Sequence, residues 1–377
     1  MVRILILGTG AMAAHHAKGF AAAEDAELVG AVDVDTGRLE AFCDTNRIGR
    51  CYASLDEALA WGGFDAVANV TPDNFHYPTT MKLLAAGKHV LCEKPLATDA
   101  VLAEHMAEEA EKRGLINMVN LRYRSAAAIQ HAHKLVRDGV LGEIRHVAAA
   151  YQQSWLVGNH WGDWRTEQRW LWRLSQAHGS QGVLGDIGIH IVDFASHGAD
   201  ADIDTVSCQL QTFPKAEGDQ IGEYALDAND SFIMNIMFDG GALGVIHASR
   251  YATGHANRLI LKLHGTNGAI DVDLDKSWDQ IDICAGDDVN TQTWRTIDCP
   301  PVPDLYARFV RAVRDGKADQ PDFRRAAHMQ QVLDQAILSD ATGSLHRVKP
   351  AYRTAGEMQQ MLAHTLAETS VTPHEPF

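Results

Sequence analysis

Residues 4–13 read Ile-Leu-Ile-Leu-Gly-Thr-Gly-Ala-Met-Ala. An apolar, branched run stops at Gly8, and the pattern Gly8-x-Gly10-x-x-Ala13 opens an alanine-rich segment of helical character. Each position has a physical reason in a dinucleotide site. Gly8 lets a strand turn sharply into a helix. Gly10 has no side chain, so a pyrophosphate can approach the backbone. Ala13 is small enough for the helix to pack closely on the strand. The free N–H groups around Gly8, Gly10, Ala11 and Met12, with the positive end of the helix, would hold the phosphates.

A lone GxGxxA pattern is a weak signal, and an ordinary βαβ crossover with a chance glycine pair would also produce it. Three features support the stronger reading. The pattern follows a strand. A helix free of proline follows it, from about Ala11 to Ala23. A second apolar strand, Leu28 to Val32, then ends in Asp33, which is able to accept both hydroxyls of an adenosine ribose. Asp33 should repel a 2′-phosphate, so NAD is expected in preference to NADP. Arg38 lies close enough in sequence to reach a phosphate and is placed with Asp33 at the cofactor.

The chain has 377 residues, enough for two domains and a sizeable core. No apolar run approaches the roughly 20 residues that cross a bilayer. The first residues run straight into a strand, so a secretory leader is not expected. Six cysteines (Cys43, Cys51, Cys92, Cys208, Cys284, Cys299) lack paired spacing. Reduced thiols in a cytoplasm, with no zinc ribbon, follow from that pattern. A formal charge of -16 argues against nucleic acid and anionic membranes as partners.

Strands and helices alternate through the first 120 residues. Strands are expected at Arg3–Gly8, Leu28–Asp33, Ala66–Val70, His89–Cys92 and Ile116–Asn120. Ser54-Leu55-Asp56-Glu57 reads as a capping box, Thr98 or Asp99 as a cap, and Gly114 as a helix stop. The alternation implies a doubly wound parallel sheet, an α/β fold. Beyond Asn120 the pattern changes. A helix over Ser125–Asp138 precedes a strand at Ile144–Gln152, an aromatic loop from Trp155 to Trp172, and a helix near Asp186–Ser196. Short strands follow at Asp204–Thr212, Asp230–Phe238, Gly241–Tyr251, Leu259–His264, Gly268–Asp273 and Gln280–Ala285. Their Gly- and Asp-rich turns imply a largely antiparallel sheet. Helices return at Asp304–Asp315, Arg324–Ala341 and Tyr352–Glu368. The resulting division is a dinucleotide-binding domain over 1–120, a second α/β domain over 121–350, and a helix and tail over 351–377.

Four clusters carry chemistry. Thr71-Pro72-Asp73-Asn74-Phe75-His76 sits at the carboxyl end of the third strand, where open α/β sheets bind ligands. Thr71, Pro72, Asn74 and His76 are therefore placed at the cofactor, with a plain Pro-Asp-Asn turn as the alternative. Glu93-Lys94-Pro95 ends the next strand. Lys94 there would donate to a substrate hydroxyl and favour a developing alkoxide, unless it is a solvated partner of Glu93. Asp186, His190 and Asp193 fall along one helical face. A carboxylate beside an imidazole orients the ring and raises its basicity. The alternatives are a zinc pair, which has no third ligand at suitable spacing, and a buried structural histidine. Trp155, Trp161, Trp164, Trp170 and Trp172 alternate with Asp163, Arg165, Arg169 and Arg173. Aromatic faces with a few polar groups suit a sugar or polyol, which places Trp164, Arg165 and Trp172 at substrate. A core or oligomer-interface patch fits the same composition.

In this order, GxGxxA, an acidic second-strand end, TPxxxH, EKP and DxGxH resemble the glucose-fructose oxidoreductase / inositol dehydrogenase / rhizopine catabolism family of NAD(P)-dependent dehydrogenases. The likeness runs from Arg3 to about Val348. It implies a Rossmann domain followed by an α/β domain on an open-faced sheet, whose open face mediates homodimers or homotetramers. It further implies Lys94, Asp186 and His190 as catalytic residues and Glu93 and Asn120 beside the cofactor. Arg122 would lie near substrate, and Arg173 near the nicotinamide. The family's glycine triplet before DxGxH is Ser180-Gln181-Gly182 here. The mechanism implied is oxidation of a secondary alcohol on a cyclic polyol or sugar, with His190 as base and Lys94 stabilising the oxyanion. An NAD-retaining glycosidase and a non-catalytic nucleotide sensor share this fold. The intact EKP favours redox turnover, and Lys94, Asp186 and His190 together speak against a sensor.

Overall fold

A computed structural model describes residues 1–349 and 355–369, and the chain divides into two units, each built on its own sheet. The first unit begins β1 (Val2–Leu7), α1 (Ala13–Ala22), β2 (Ala26–Val32), α2 (Thr36–Asn46), β3 (Cys51–Tyr52) and α3 (Leu55–Trp61). It continues β4 (Ala66–Asn69), α4 (Asp73–Ala85), β5 (His89–Cys92), α5 (Ala100–Lys112) and β6 (Asn117–Val119). Every pairing is parallel and the order is β3-β2-β1-β4-β5-β6. That is the doubly wound dinucleotide-binding order, whose crevice opens between β1 and β4, where the winding reverses. Local chemistry sets the helix ends as the sequence implies. Ser54 accepts from Glu57 N at 3.3 Å to start α3, Asp99 accepts from Leu102 N at 3.0 Å to start α5, and Gly114 at φ +62° follows α5.

The second unit holds α6 (Ala127–Arg137), β7 (Ile144–Gln152), α7 (Gln168–Leu171), α8 (Ile189–Ala199), β8 (Ile203–Gln211), β9 (Gln220–Ile221) and β10 (Tyr224–Ala225). Next come β11 (Ser231–Phe238), β12 (Leu243–Ser249), β13 (Arg258–Gly265), β14 (Gly268–Asp273), β15 (Gln280–Ala285), α9 (Asp288–Thr291) and β16 (Arg295–Asp298). After α10 (Leu305–Asp315) and α11 (Phe323–Thr342), β17 (His346–Arg347) closes a nine-stranded sheet, and α12 (Ala355–Thr369) follows. The order is β16-β15-β14-β13-β7-β12-β11-β8-β17, antiparallel throughout except for β7 beside β12. Alternating burial along β11, β12, β13 and β14 gives this sheet two unlike faces. Phe232, Met234 and Ile236 of β11 are buried, while Ile233 is 56% exposed and Leu243 of β12 is 58% exposed. α6 and α8 pack against the sheet, and among the described residues Ile233 and Leu243 stay exposed on one of its faces.

The linear division at 120 and 350 misses the return of the chain to the first unit, which includes α10, the first part of α11 as far as Gln331, and α12. In α10, Leu305, Phe309 and Val310 join Ile4, Ala17 and Phe20 in one core. Its Tyr306 packs edge-on against His16 and Phe20, with centroids 5.3 and 5.1 Å apart. No described helix is long and apolar enough to cross a membrane. The part of the last expected helix before residue 355, and the tail beyond 369, lie outside the described residues.

Candidate active site

The first unit carries the nucleotide features. Gly8 adopts φ +91°, and a Cβ there would stand 2.7 Å from the carbonyl oxygen of Val70, just after β4. Only glycine fits that turn. A Cβ on Gly10 would meet nothing within 4 Å, and Gly10, Ala11 and Met12 are exposed at the start of α1. The backbone there is accessible to a phosphate group, so these residues fit the dinucleotide. Pro72 and Asn74 are exposed at the start of α4, while Thr71 is buried and donates to Asn69 Oδ1 at 2.8 Å.

Asp33 is buried under several donors. Its Oδ2 accepts from Thr9 N at 2.7 Å and Thr9 Oγ1 at 2.8 Å, and its Oδ1 accepts from Asp35 N at 2.9 Å and Arg38 Nη2 at 2.7 Å. Burial alone would raise its pKa, but Arg38, Thr9 and Asp35 outweigh it and hold the carboxyl below the usual range. A ribose diol that reaches Asp33 must therefore displace Arg38, which is exposed. This gives a test. The wild type should show a lower KM for NAD than for NADP. Arg38→Ala should widen that ratio roughly tenfold or more, because it removes a charge-assisted donor to a 2′-phosphate and frees the carboxylate. A wild-type preference for NADP would refute the reading of Asp33.

Three residues expected at the cofactor are buried in the first unit and bonded to its backbone or to one another. His76 is fully buried, with Nδ1 2.6 Å from Pro95 O and Nε2 2.8 Å from Thr71 O. Both partners are acceptors, so both ring nitrogens carry hydrogen. Burial pushes the imidazole down, but Cys92, Asp73 and the Pro95 carbonyl hold it up at about 10. His76 thus ties the Thr71 turn to the Lys94 loop, whose Lys94–Pro95 bond is cis. Glu93 and Asn120 are also buried, and they bond to each other: Asn120 Nδ2 donates to Glu93 Oε1 at 2.6 Å, where His16 Nε2 also lies, 2.8 Å away. Glu93 Oε2 accepts the backbone N–H of Lys94 at 3.0 Å.

Burial raises the Glu93 pKa, yet His16, Asn120 and the Lys94 charge together pull it down to about 2. A depressed carboxyl contributes stability that is complete above its unfolded pKa near 4.3 and is lost as pH falls toward 2, amounting to about 3 kcal/mol. Urea unfolding at pH 7 and pH 3 should show the wild type losing more stability than Glu93→Gln over that interval. Equal losses would show that the carboxylate is not held this way.

The second unit carries the other chemical groups. Leu184–Gly188 forms one π-helical turn that runs into α8, so Asp186 lies on the π turn while His190 and Asp193 lie on the regular helix. Asp186 lies between two guanidiniums, Arg173 Nη1 at 3.0 Å from Oδ1 and Arg250 Nη2 at 3.1 Å from Oδ2. Asp193 pairs with buried Arg124, whose Nε is 2.8 Å from Oδ2. His190 is 7% exposed and meets the ring of Tyr123 edge-on at 5.1 Å. Tyr123 belongs to a closed set of hydrogen bonds. The two hydroxyls of Tyr123 and Tyr151 are 2.5 Å apart, Tyr151 donates to Asn257 Oδ1 at 2.7 Å, and Asn257 Nδ2 donates to Tyr123 at 3.0 Å. π turns of this kind recur at functional sites.

The tryptophan segment is mainly core. Trp155, Leu156, Trp164, Leu171, Leu174 and Leu226 form a separate cluster, and Trp164 Nε1 donates to Leu156 O at 3.2 Å. Trp164 is therefore corrected from substrate contact to structural support, because both its ring and its N–H are satisfied inside. Arg165 is exposed over its ring at 4.6 Å. Trp172 is 36% exposed with Arg173 over it at 4.7 Å, and Arg122 is exposed beyond β6. His16, Arg250, Tyr123, Tyr151 and Asn257 were not singled out from sequence. His16 alone had a local signal, as a histidine on the sheet-facing side of α1.

Family models match both units. The oxidoreductase family with an NAD-binding Rossmann fold matches residues 2–121, and the GFO/IDH/MocA C-terminal domain matches residues 129–271. The chain belongs to the GFO/IDH/MocA family of oxidoreductases and has an NAD-binding domain. Levoglucosan dehydrogenase of Pseudarthrobacter phenanthrenivorans is 26% identical over 307 residues, 72% of this chain and 76% of that protein. The crystal structure of an oxidoreductase domain protein from Kribbella flavida superposes with a TM-score of 0.81 at 28% identity, over 93% of this chain and 100% of that one. Levoglucosan dehydrogenase in complex with NADH and levoglucosan has the same fold, with a TM-score of 0.81 at 22% identity, over 92% of this chain and 99% of that one.

Proposed function

We propose that this protein oxidises a secondary alcohol of a cyclic polyol or sugar with NAD, and that Lys94, Asp186 and His190 serve that one reaction. The observation that carries the proposal is the pair of arginines fixing Asp186 on a π turn that leads directly into His190, in a chain whose other unit presents a lysine at the carboxyl end of a dinucleotide-binding sheet. His190 takes the hydroxyl proton. Asp186, held by Arg173 and Arg250, accepts from a neighbouring substrate hydroxyl or from the imidazole. Lys94 donates a charge-assisted hydrogen bond to the oxygen that becomes the carbonyl. NAD, held along Gly8–Met12, supplies the hydride acceptor. The exposed Trp172 offers an apolar face to the C–H side of a pyranose or cyclitol ring.

Copies of the chain associate through the open face of the second sheet, where Ile233 and Leu243 are exposed, as a homodimer or homotetramer. The six cysteines are all free, which accords with a reducing cytoplasm. A panel of inositols, aldoses, anhydrosugars and sugar acids, followed by NADH absorbance, tests the function. Turnover is expected on at least one class, and silence across the panel with NAD and NADP would defeat the proposal.

A further inference from the structure

We infer that Arg250 is a positioning residue for the reaction, holding Asp186 and the Arg173 loop in fixed relation. The inference rests on the function proposed above. Arg250 follows β12 and is completely buried. Its Nη2 donates to Asp186 Oδ2 at 3.1 Å and its Nη1 to the carbonyl oxygen of Arg173, also at 3.1 Å. Its backbone N–H donates to Asp230 O at 2.9 Å, and its guanidinium lies 5.0 Å above the ring of Trp155. That indole donates to Gln153 Oε1 at 3.1 Å.

Each contact has a consequence for Asp186. A π turn gives its side chains a less regular frame than an α-helix does. Arg173 is partly exposed, and its Nη1 engages Oδ1 of the carboxylate. Arg250 adds a second constraint at Oδ2, because a planar fork bonded to two acceptors fixes both at once. One acceptor is the carboxylate. The other is the backbone of the residue that grips the carboxylate from the opposite side. Trp155 and the strand end fix the fork in turn. Stability alone gives no reason for a guanidinium here. Burial works against its charge, and a buried ion pair seldom stabilises more than apolar packing of the same volume. Orientation of a group that acts on substrate does give a reason, since supporting contacts of this kind typically change activity by about 10–100-fold.

The test uses the full-length enzyme with the best substrate of the panel. Arg250→Met should lower kcat roughly a hundredfold and Arg250→Lys roughly tenfold, since an ammonium reaches one acceptor and not both. The affinity for NADH, read by fluorescence in the absence of substrate, should be unchanged. Guanidinium at concentrations below those that unfold the protein should restore Arg250→Ala at least severalfold and leave His190→Ala unaffected. Wild-type kcat in folded Arg250→Lys and Arg250→Met, or no rescue of folded Arg250→Ala, would overturn the inference. A wild type silent on every polyol would instead defeat the proposed function. A crystal structure of Arg250→Met then decides the present point: Asp186 displaced from Arg173 supports it, and Asp186 unmoved overturns it.

Discussion

His190→Ala should lower kcat by about 10²–10⁴ while the protein stays folded and binds NADH normally, the loss typical of removing a general base. The size follows from the surroundings. The imidazole is buried to 7% exposure and packed edge-on against Tyr123, so bulk water is poorly placed to substitute for it. The rise of kcat/KM with pH that a titrating base produces should disappear in the variant. A histidine with only a packing role would behave otherwise. Its removal would lower the melting temperature and leave the pH profile of the folded fraction intact. Near-normal turnover in folded His190→Ala would remove the residue from the mechanism, and the proton would then need another acceptor.

Features decided by neighbours in sequence were legible in the chain. Gly8 was readable because the turn it makes is a local backbone matter, and its +91° φ and the Val70 carbonyl confirm the reason for it. The parallel first sheet was readable from alternation, and so was Ser54 as a cap, while the α5 cap was narrowed to Thr98 or Asp99 and proved to be Asp99. The strands of the second sheet were readable from short runs separated by Gly- and Asp-rich turns, as at Asp239-Gly240-Gly241 between β11 and β12.

What failed depends on contacts distant in sequence. α10 has a clear apolar stripe, but any apolar surface would satisfy Leu305 and Phe309, so nothing local assigned them to Phe20 and Ile4. The π turn was invisible because Leu184, Ile187, Ile189 and Ile191 are apolar on all sides and give the helix no readable phase. Trp164 showed that aromatic composition does not separate a sugar platform from a small core. Arg250 and Asn257 are single polar residues at strand ends, and only the tertiary fold reveals their partners. Asp33 lies between these cases. It follows β2 and bonds to Thr9 of the glycine turn, a placement that spacing implied, while the Arg38 fork over it appears only in three dimensions.

Lys94→Met should cost about 10²–10³ in kcat, the loss expected when one preorganised donor to a developing oxyanion is removed. The residue before it explains why the donor is preorganised. Glu93 is buried, ionised and bound to His16 and Asn120, and it accepts the Lys94 backbone N–H, so the loop cannot drift. Pro95 on the other side gives its carbonyl to His76. Contacts at both neighbours fix the backbone from which the Lys94 ammonium reaches. Affinity for NADH should change little in Lys94→Met, because the interaction grows with charge on the substrate oxygen and not on the nucleotide. Lys94→Arg should recover only part of the rate, since a broad planar fork replaces a compact point charge. The decisive measurement is the cycle joining Lys94→Met with His190→Ala. Groups that act on one oxygen in one step lose most of their effect together, so the double variant should be scarcely slower than the worse single variant. Strict additivity of the two losses would mean that lysine and histidine serve separate steps, and that the single-carbinol mechanism is wrong.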